Sequence, residues 1–141
     1  RDRSVSRGLG DVYKRQIQAF AHSKGKKTLS IGVKQSFTDL YVNVDPFTLL
    51  AYIKNADYVI TDTFHGTVFS IKYQIPFATL IRPSNIEKLS DLLEKFGLSS
   101  RTVNDANNIK DVCTEEIDKL NILKLLKTYR ESAITYLKDN L

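Results

Sequence analysis

From Ile17 onward, short apolar runs alternate with longer stretches in which apolar residues recur at helical spacing. IQAFAHSKGKK predicts the end of a helix, with Gly25 and three lysines where a helix C-terminus favours them. TLSIGV, residues 28 to 33, predicts a strand, and Lys34 to Val44 a loop with a short extended piece. Asp45 before Pro46 marks a helix start, because Asp accepts from free N–H groups and Pro suits the first helical position. The helix over 46 to 55 offers Phe47, Leu50, Ala51 and Ile53 as its buried stripe.

YVIT (58 to 61) and IPFATLI (75 to 81) are short β-rich apolar runs of the kind found in buried parallel strands. Between them Thr61 to Gly66 predicts a turn and GTVFSIKYQ a helix. Asn85 through Phe96 has amphipathic spacing closed by Gly97, and Arg101 to Val103 predicts a short edge strand. Thr114 to Leu141 predicts one long helix, with Thr114 as its cap and Glu116 and Asp118 in its first turns. Strands alternating with helices through short connections call for a mostly parallel sheet covered by helices on both faces. The expected class is therefore α/β, half of a Rossmann-like arrangement with a long C-terminal helix.

Composition adds exclusions. With 141 residues, 26% of them charged and 42% hydrophobic, the chain suits one globular domain. No apolar run approaches the roughly 20 residues that span a bilayer, and no secretion signal is evident. Cys113 is the only cysteine, which rules out an internal disulfide and fits a reducing, cytoplasmic setting. No Walker loop, GxGxxG or metal-ligand cluster occurs.

The net charge of +5 is unevenly placed: residues 1–16 carry +3 and the remaining 125 only +2. That argues against a nucleic-acid surface on the domain. The opening RDRSVSRGLGDVYKRQ lacks apolar periodicity and resembles a translated sequencing-adapter read-through. On that reading residues 1–16 form a disordered, non-native leader, 17–141 are the domain, and a preceding domain is missing. The competing expectation is a basic arm that orders on a phosphate-rich partner.

The segment that carries chemistry is NADYVITDTFHGTVFS, residues 55 to 70. It sets Thr61, Asp62, Thr63, Phe64, His65 and Gly66 at the carboxyl end of a strand where a helix begins. Ligands of open α/β sheets settle there, and a helix N-terminus offers N–H donors and partial positive charge to an anion. Gly66 permits close approach of a ligand, Thr67 offers a hydroxyl, and His65 can donate or serve as an acid near neutral pH. A plainer alternative makes His65 an ordinary residue at a helix start, with Asp62 and Thr63 as caps. His22 reads as helix surface, Cys113 as an inert thiol in a helix-flanking loop, and Phe47, Phe69 and Phe77 as core.

The run from Asp45 to Arg101, with DPFTLLAYIKNADYVITDTFHGTVFSIKYQIPFATL followed by LLEKFGLSSR, resembles the C-terminal half of the polysaccharide pyruvyl transferase family. In that family a strand ending in a Thr/Ser-rich turn runs into Phe-His-Gly or Arg-Leu-His and then an apolar helix. The resemblance implies a two-domain, glycosyltransferase-B-like enzyme that moves the enolpyruvyl unit of phosphoenolpyruvate onto a sugar. The product is usually a cyclic pyruvate ketal of a cell-surface polysaccharide or exopolysaccharide. No cofactor is implied; the partners are phosphoenolpyruvate and a saccharide or lipid-linked saccharide acceptor, met in the cytoplasm or at the inner face of the membrane.

His65 matches the motif histidine and is expected to be the donor-site acid or a phosphate ligand. Thr63, Gly66, Thr67, Arg82 and Lys88 are the expected donor-binding residues. In the Arg-Leu-His form an Arg stands where this chain has Thr63, so Arg82, Lys88 or Arg101 would have to supply the cation. Two other readings remain open: a glycosyltransferase of the same architecture using a nucleotide sugar, and a non-catalytic module whose tail helix packs on a partner through Leu120, Leu123, Leu126 and Leu137.

Overall fold

The computed structural model describes residues 10–32, 35, 37–103 and 108–140. Helix α1 (Gly10–Lys24) leads into β1 (Leu29–Ile31) and β2 (Leu40–Val42), followed by α2 (Pro46–Lys54), β3 (Val59–Thr61) and α3 (Phe64–Lys72). Strand β4 (Phe77–Leu80), α4 (Ile86–Lys95), a 3-10 turn (Ser99–Arg101), β5 (Thr102–Val103), α5 (Ile109–Thr114) and α6 (Lys119–Asn140) complete it. The strands form two parallel sheets, β1-β2 and β3-β4-β5. The α/β class, the parallel pairing and the long C-terminal helix agree with the sequence pattern.

Strand β4 is central and every one of its side chains is buried. Alternation along the strand sends them to opposite faces. Ala78 and Leu80 join Tyr13 and Phe20 of α1 and Ile109, Val112 and Cys113 of α5 in one core. Phe77 joins Ile71 of α3, Leu93 and Phe96 at the end of α4, and Ile122 of α6 in the other. Each large side chain fully buried in these cores contributes about 1.5–3 kcal/mol, so the sheet is held by helices on both faces.

Several boundaries and faces differ from the sequence expectation, each for a local reason. Residues 10–16 form the first half of α1, where Tyr13 is buried and Gln16 Oε1 accepts from the N–H of Ile109 at 2.9 Å. Phe47 lies outside the core at 83% exposure and Ala51 is also exposed, because α2 turns Leu49, Leu50 and Ile53 inward instead. Strand β3 is half-buried rather than buried, having a partner on one side only.

The tail is two helices. Thr114 ends α5, its hydroxyl returning to Lys110 O at 2.7 Å, and Asp118 takes the capping role for α6 by accepting from Asn121 N at 3.1 Å. Helix α6 packs through Ile122, Leu125 and Leu126, and Tyr129 meets Phe96 edge to face at 5.3 Å. Leu120 and Leu123 point outward, and the side chain of Leu137 lies outside the described residues. Cys113 sits inside α5, not in a loop.

Arg101 is 1% exposed, so a permanent cation stands in the interior. Its Nε donates to Phe77 O at 2.9 Å and its Nη1 to Glu115 O at 2.8 Å, while the guanidinium lies 5.5 Å from the Phe77 ring centre. The planar fork thus ties β4 to the segment between α5 and α6, and burial depresses its pKa. Arg101→Lys keeps the charge but cannot reach both carbonyls; equilibrium urea unfolding is expected to show a loss of about 3 kcal/mol.

Burial also pushes the Cys113 thiol from 9.0 up to about 11. Between those values the unfolded thiol is ionised and the folded one is not, so unfolding releases a proton and stability falls as pH rises through the window. At pH 8 a bulky thiol reagent should label Cys113 only at the rate of unfolding, and Cys113→Ser should flatten the alkaline loss of stability measured between pH 9 and 11.

Candidate functional site

The site is built on the turn from β3 to α3. Thr63 is the N-cap of α3, with extended backbone and its Oγ1 accepting from the N–H of Gly66 at 3.0 Å. Thr61 braces this cap: its Oγ1 accepts from the N–H of Thr63 and lies 3.1 Å from Thr63 Oγ1. A methyl group at Gly66 would collide with the Thr61 hydroxyl and come within 2.8 Å of Thr63 Oγ1. Glycine is required there so that the helix can start hard against the strand end. The N–H groups of Phe64 and His65 come before any helical carbonyl can reach them and stand at the positive end of α3.

His65 is exposed in the first turn of α3, with its ring between those of Phe64, 6.0 Å away, and Phe69, 6.2 Å away. Facing the turn is Arg82, just beyond the carboxyl end of β4, whose Nη2 lies 3.3 Å from Asp62 Oδ2. Both partners are largely shielded from solvent, which strengthens the pair relative to a surface ion pair. The Asn85 side chain closes the arrangement. Its Oδ1 accepts from Arg82 N at 2.7 Å and its Nδ2 donates to Asp62 O at 2.8 Å and Leu80 O at 3.4 Å.

His65, Gly66, Thr63, Asp62 and Arg82 all line one cleft of about 940 Å³. The cleft runs between the two sheets. Consecutive residues of β1 and of β3 form its walls, β2 contributes none, and no ladder hydrogen bonds join β1 to β3 among the described residues. At the amino ends of these strands Lys26 Nζ meets Asp57 Oδ2 at 2.8 Å, an exposed pair that raises the pKa of Lys26. The cleft volume is in the range that accommodates a small-molecule substrate.

The structure sorts the residues singled out from the sequence. His65, Thr63, Gly66 and Arg82 come together at the cleft. Thr67 does not: it is fully buried, and its hydroxyl is spent on Thr63 O at 2.8 Å and on Thr79 Oγ1 at 3.3 Å. Lys88 is exposed on α4 and is not part of the cleft wall, and Arg101 is committed to the interior. Of the three cations considered as replacements for the Arg absent at Thr63, the structure brings Arg82 to the turn. His22 is exposed near the end of α1, as expected, and is not part of the cleft wall.

Asn85 was missed as a member of this cluster. In sequence it reads as the first residue of the amphipathic stretch Asn85 through Phe96, and nothing there signals that its side chain turns back toward two strand ends. Among the described residues no group of three or more His, Cys, Asp or Glu is placed to hold a metal ion, and no helix is long and apolar enough to cross a membrane.

A family model described as polysaccharide pyruvyl transferase matches residues 3–85, which takes in the whole of β3, the β3–α3 turn, β4, Arg82 and Asn85. No curated protein and no solved structure gives a significant match. The match covers more than half of the chain, and it includes the turn that carries His65. The chain belongs to the polysaccharide pyruvyl transferase family.

Proposed function

We propose that the cleft at the carboxyl end of β3 binds phosphoenolpyruvate and that this protein serves the transfer of its enolpyruvyl unit to a saccharide, forming a pyruvate ketal on a cell-surface polysaccharide or exopolysaccharide. The observation that carries this reading is the meeting of an exposed histidine, the N-terminus of α3 and the Arg82 guanidinium at one cleft. Phosphoenolpyruvate carries a phosphate and a carboxylate, and the positive helix end and the guanidinium answer that charge.

In forming a ketal the methylene carbon of the donor takes up a proton and becomes a methyl group. One acceptor hydroxyl bonds to the adjacent carbon and loses its proton. A second hydroxyl then bonds to that carbon, loses its proton, and phosphate departs. Of the two protons released from the acceptor, one balances that gained by the methyl group and the other leaves with phosphate. In this reading His65 delivers a proton or holds the phosphate, and Arg82 offsets the charge of the leaving group. Thr63 and Gly66 act by shaping the turn, through the cap and the close packing described above.

His65→Ala separates the two roles. If His65 is the acid, titration of phosphoenolpyruvate by calorimetry stays near native while phosphate release in the presence of the saccharide acceptor falls about 10²–10⁴-fold. If it holds the phosphate, affinity itself falls by about tenfold or more. Native affinity together with native turnover would refute both. A clear preference of the wild-type cleft for a nucleotide over phosphoenolpyruvate would transfer the site to a nucleotide-sugar reaction.

A further inference from the structure

Asn85 stands at the N-cap of α4, where asparagine ordinarily folds over its own helix and accepts from a first-turn N–H. Three other helices of the domain show that arrangement: Asp45 caps α2, Thr63 caps α3 and Asn108 caps α5, each with an extended backbone and a side chain bonded three residues ahead. Asn85 departs from it. Its backbone is not extended, with φ −122° and ψ −1°, and its side chain makes no bond to α4.

The amide is engaged elsewhere with both of its ends. Oδ1 holds the N–H of Arg82 at 2.7 Å, and Nδ2 spans 23 residues of sequence to hold the carbonyl of Asp62 at 2.8 Å. These are the two residues whose side chains form the ion pair at the cleft. With its backbone not extended, Asn85 does not reach back to the first turn of α4, and the donor and acceptor on its one short planar group tie these two main-chain sites together instead. The helix forgoes a cap, and the cleft gains a fixed spacing between the end of β3 and the end of β4.

From this we infer that Asn85 is a positioning residue of the donor site: it sets Arg82 against Asp62 so that the guanidinium is presented to the donor anion in one orientation. The inference rests on the reading of the cleft as a donor-anion site. Asn85 itself is not proposed to touch the donor.

Asn85→Ser provides the test, because serine caps a helix as well as asparagine does but is too short to span the two strand ends. The wild-type chain and the variant are titrated with phosphoenolpyruvate and with inorganic phosphate, and amide hydrogen exchange and thermal melting are followed in parallel. Expected are a modestly lower melting temperature, faster exchange at the Arg82 amide with the amides of β3 and β4 still protected, and affinity for both anions lowered about tenfold. Asn85→Ala, which likewise cannot span the two strand ends, should show the same losses.

Native affinity in both variants would overturn the proposal, and so would loss of protection throughout β3 and β4, which would make Asn85 a residue of the fold. If the wild-type chain takes up neither anion, the donor reading fails and the positioning role fails with it. Exchange at Arg82 then still shows whether the amide ties the strand ends, so the two failures are told apart.

Discussion

Both cores of the domain are built on the same four residues. Phe77 to Leu80 lie between two parallel neighbours, with their side chains sent alternately to α1 and α5 on one face and to α3, α4 and α6 on the other. Loss of this strand would leave each helical layer without a surface to pack on. It would also remove the reference for the site, since Thr61 pairs in register with Thr79 and the chain reaches Arg82 two residues after β4 ends. The position of the guanidinium relative to the β3–α3 turn is therefore fixed first by ladder hydrogen bonds and only then by side-chain contacts.

The chemistry of the turn depends on crowding as much as on charge. Thr61, Thr63 and Gly66 fit together so closely that one added carbon would displace them, and the result is a helix that begins immediately at the strand end. Thr67 belongs to the same packing, from the inside: its hydroxyl ties the second turn of α3 to β4 through Thr79. Hydroxyls that look like ligand contacts in the sequence are here spent on the packing of the turn, while the His65 side chain is exposed at the cleft.

The sequence made legible what depends on local pattern. The strands β3 and β4, the Asp45 and Thr63 caps, the α/β class and the position of the His65 segment at a strand-to-helix turn follow from apolar periodicity and capping chemistry. Features set by distant partners were not legible. Phe47 looks like core because helix periodicity does not say which side of α2 faces the sheet. Thr114 and Asp118 compete for one cap, and only the interruption between α5 and α6 decides between them. Arg101 looks like a free cation until its partners at Phe77 and Glu115 are known, 24 and 14 residues away. The role of residues 10–16 depends on α1 packing against α5 across more than 90 residues of chain.

The two walls of the cleft are held by different interactions. On the β3 side the wall is backed by the three-stranded sheet and both cores. The β1 side belongs to a separate two-stranded sheet, connected across the gap by the solvent-exposed Lys26–Asp57 pair and by α1, whose Phe20 meets Tyr58 edge to face at 4.9 Å. An exposed ion pair loses strength as ionic strength rises, whereas a ladder of hydrogen bonds or an aromatic contact does not. Salt therefore weakens one of the ties across the gap, whereas His65 and Arg82 stand on the same side of it, backed by the three-stranded sheet.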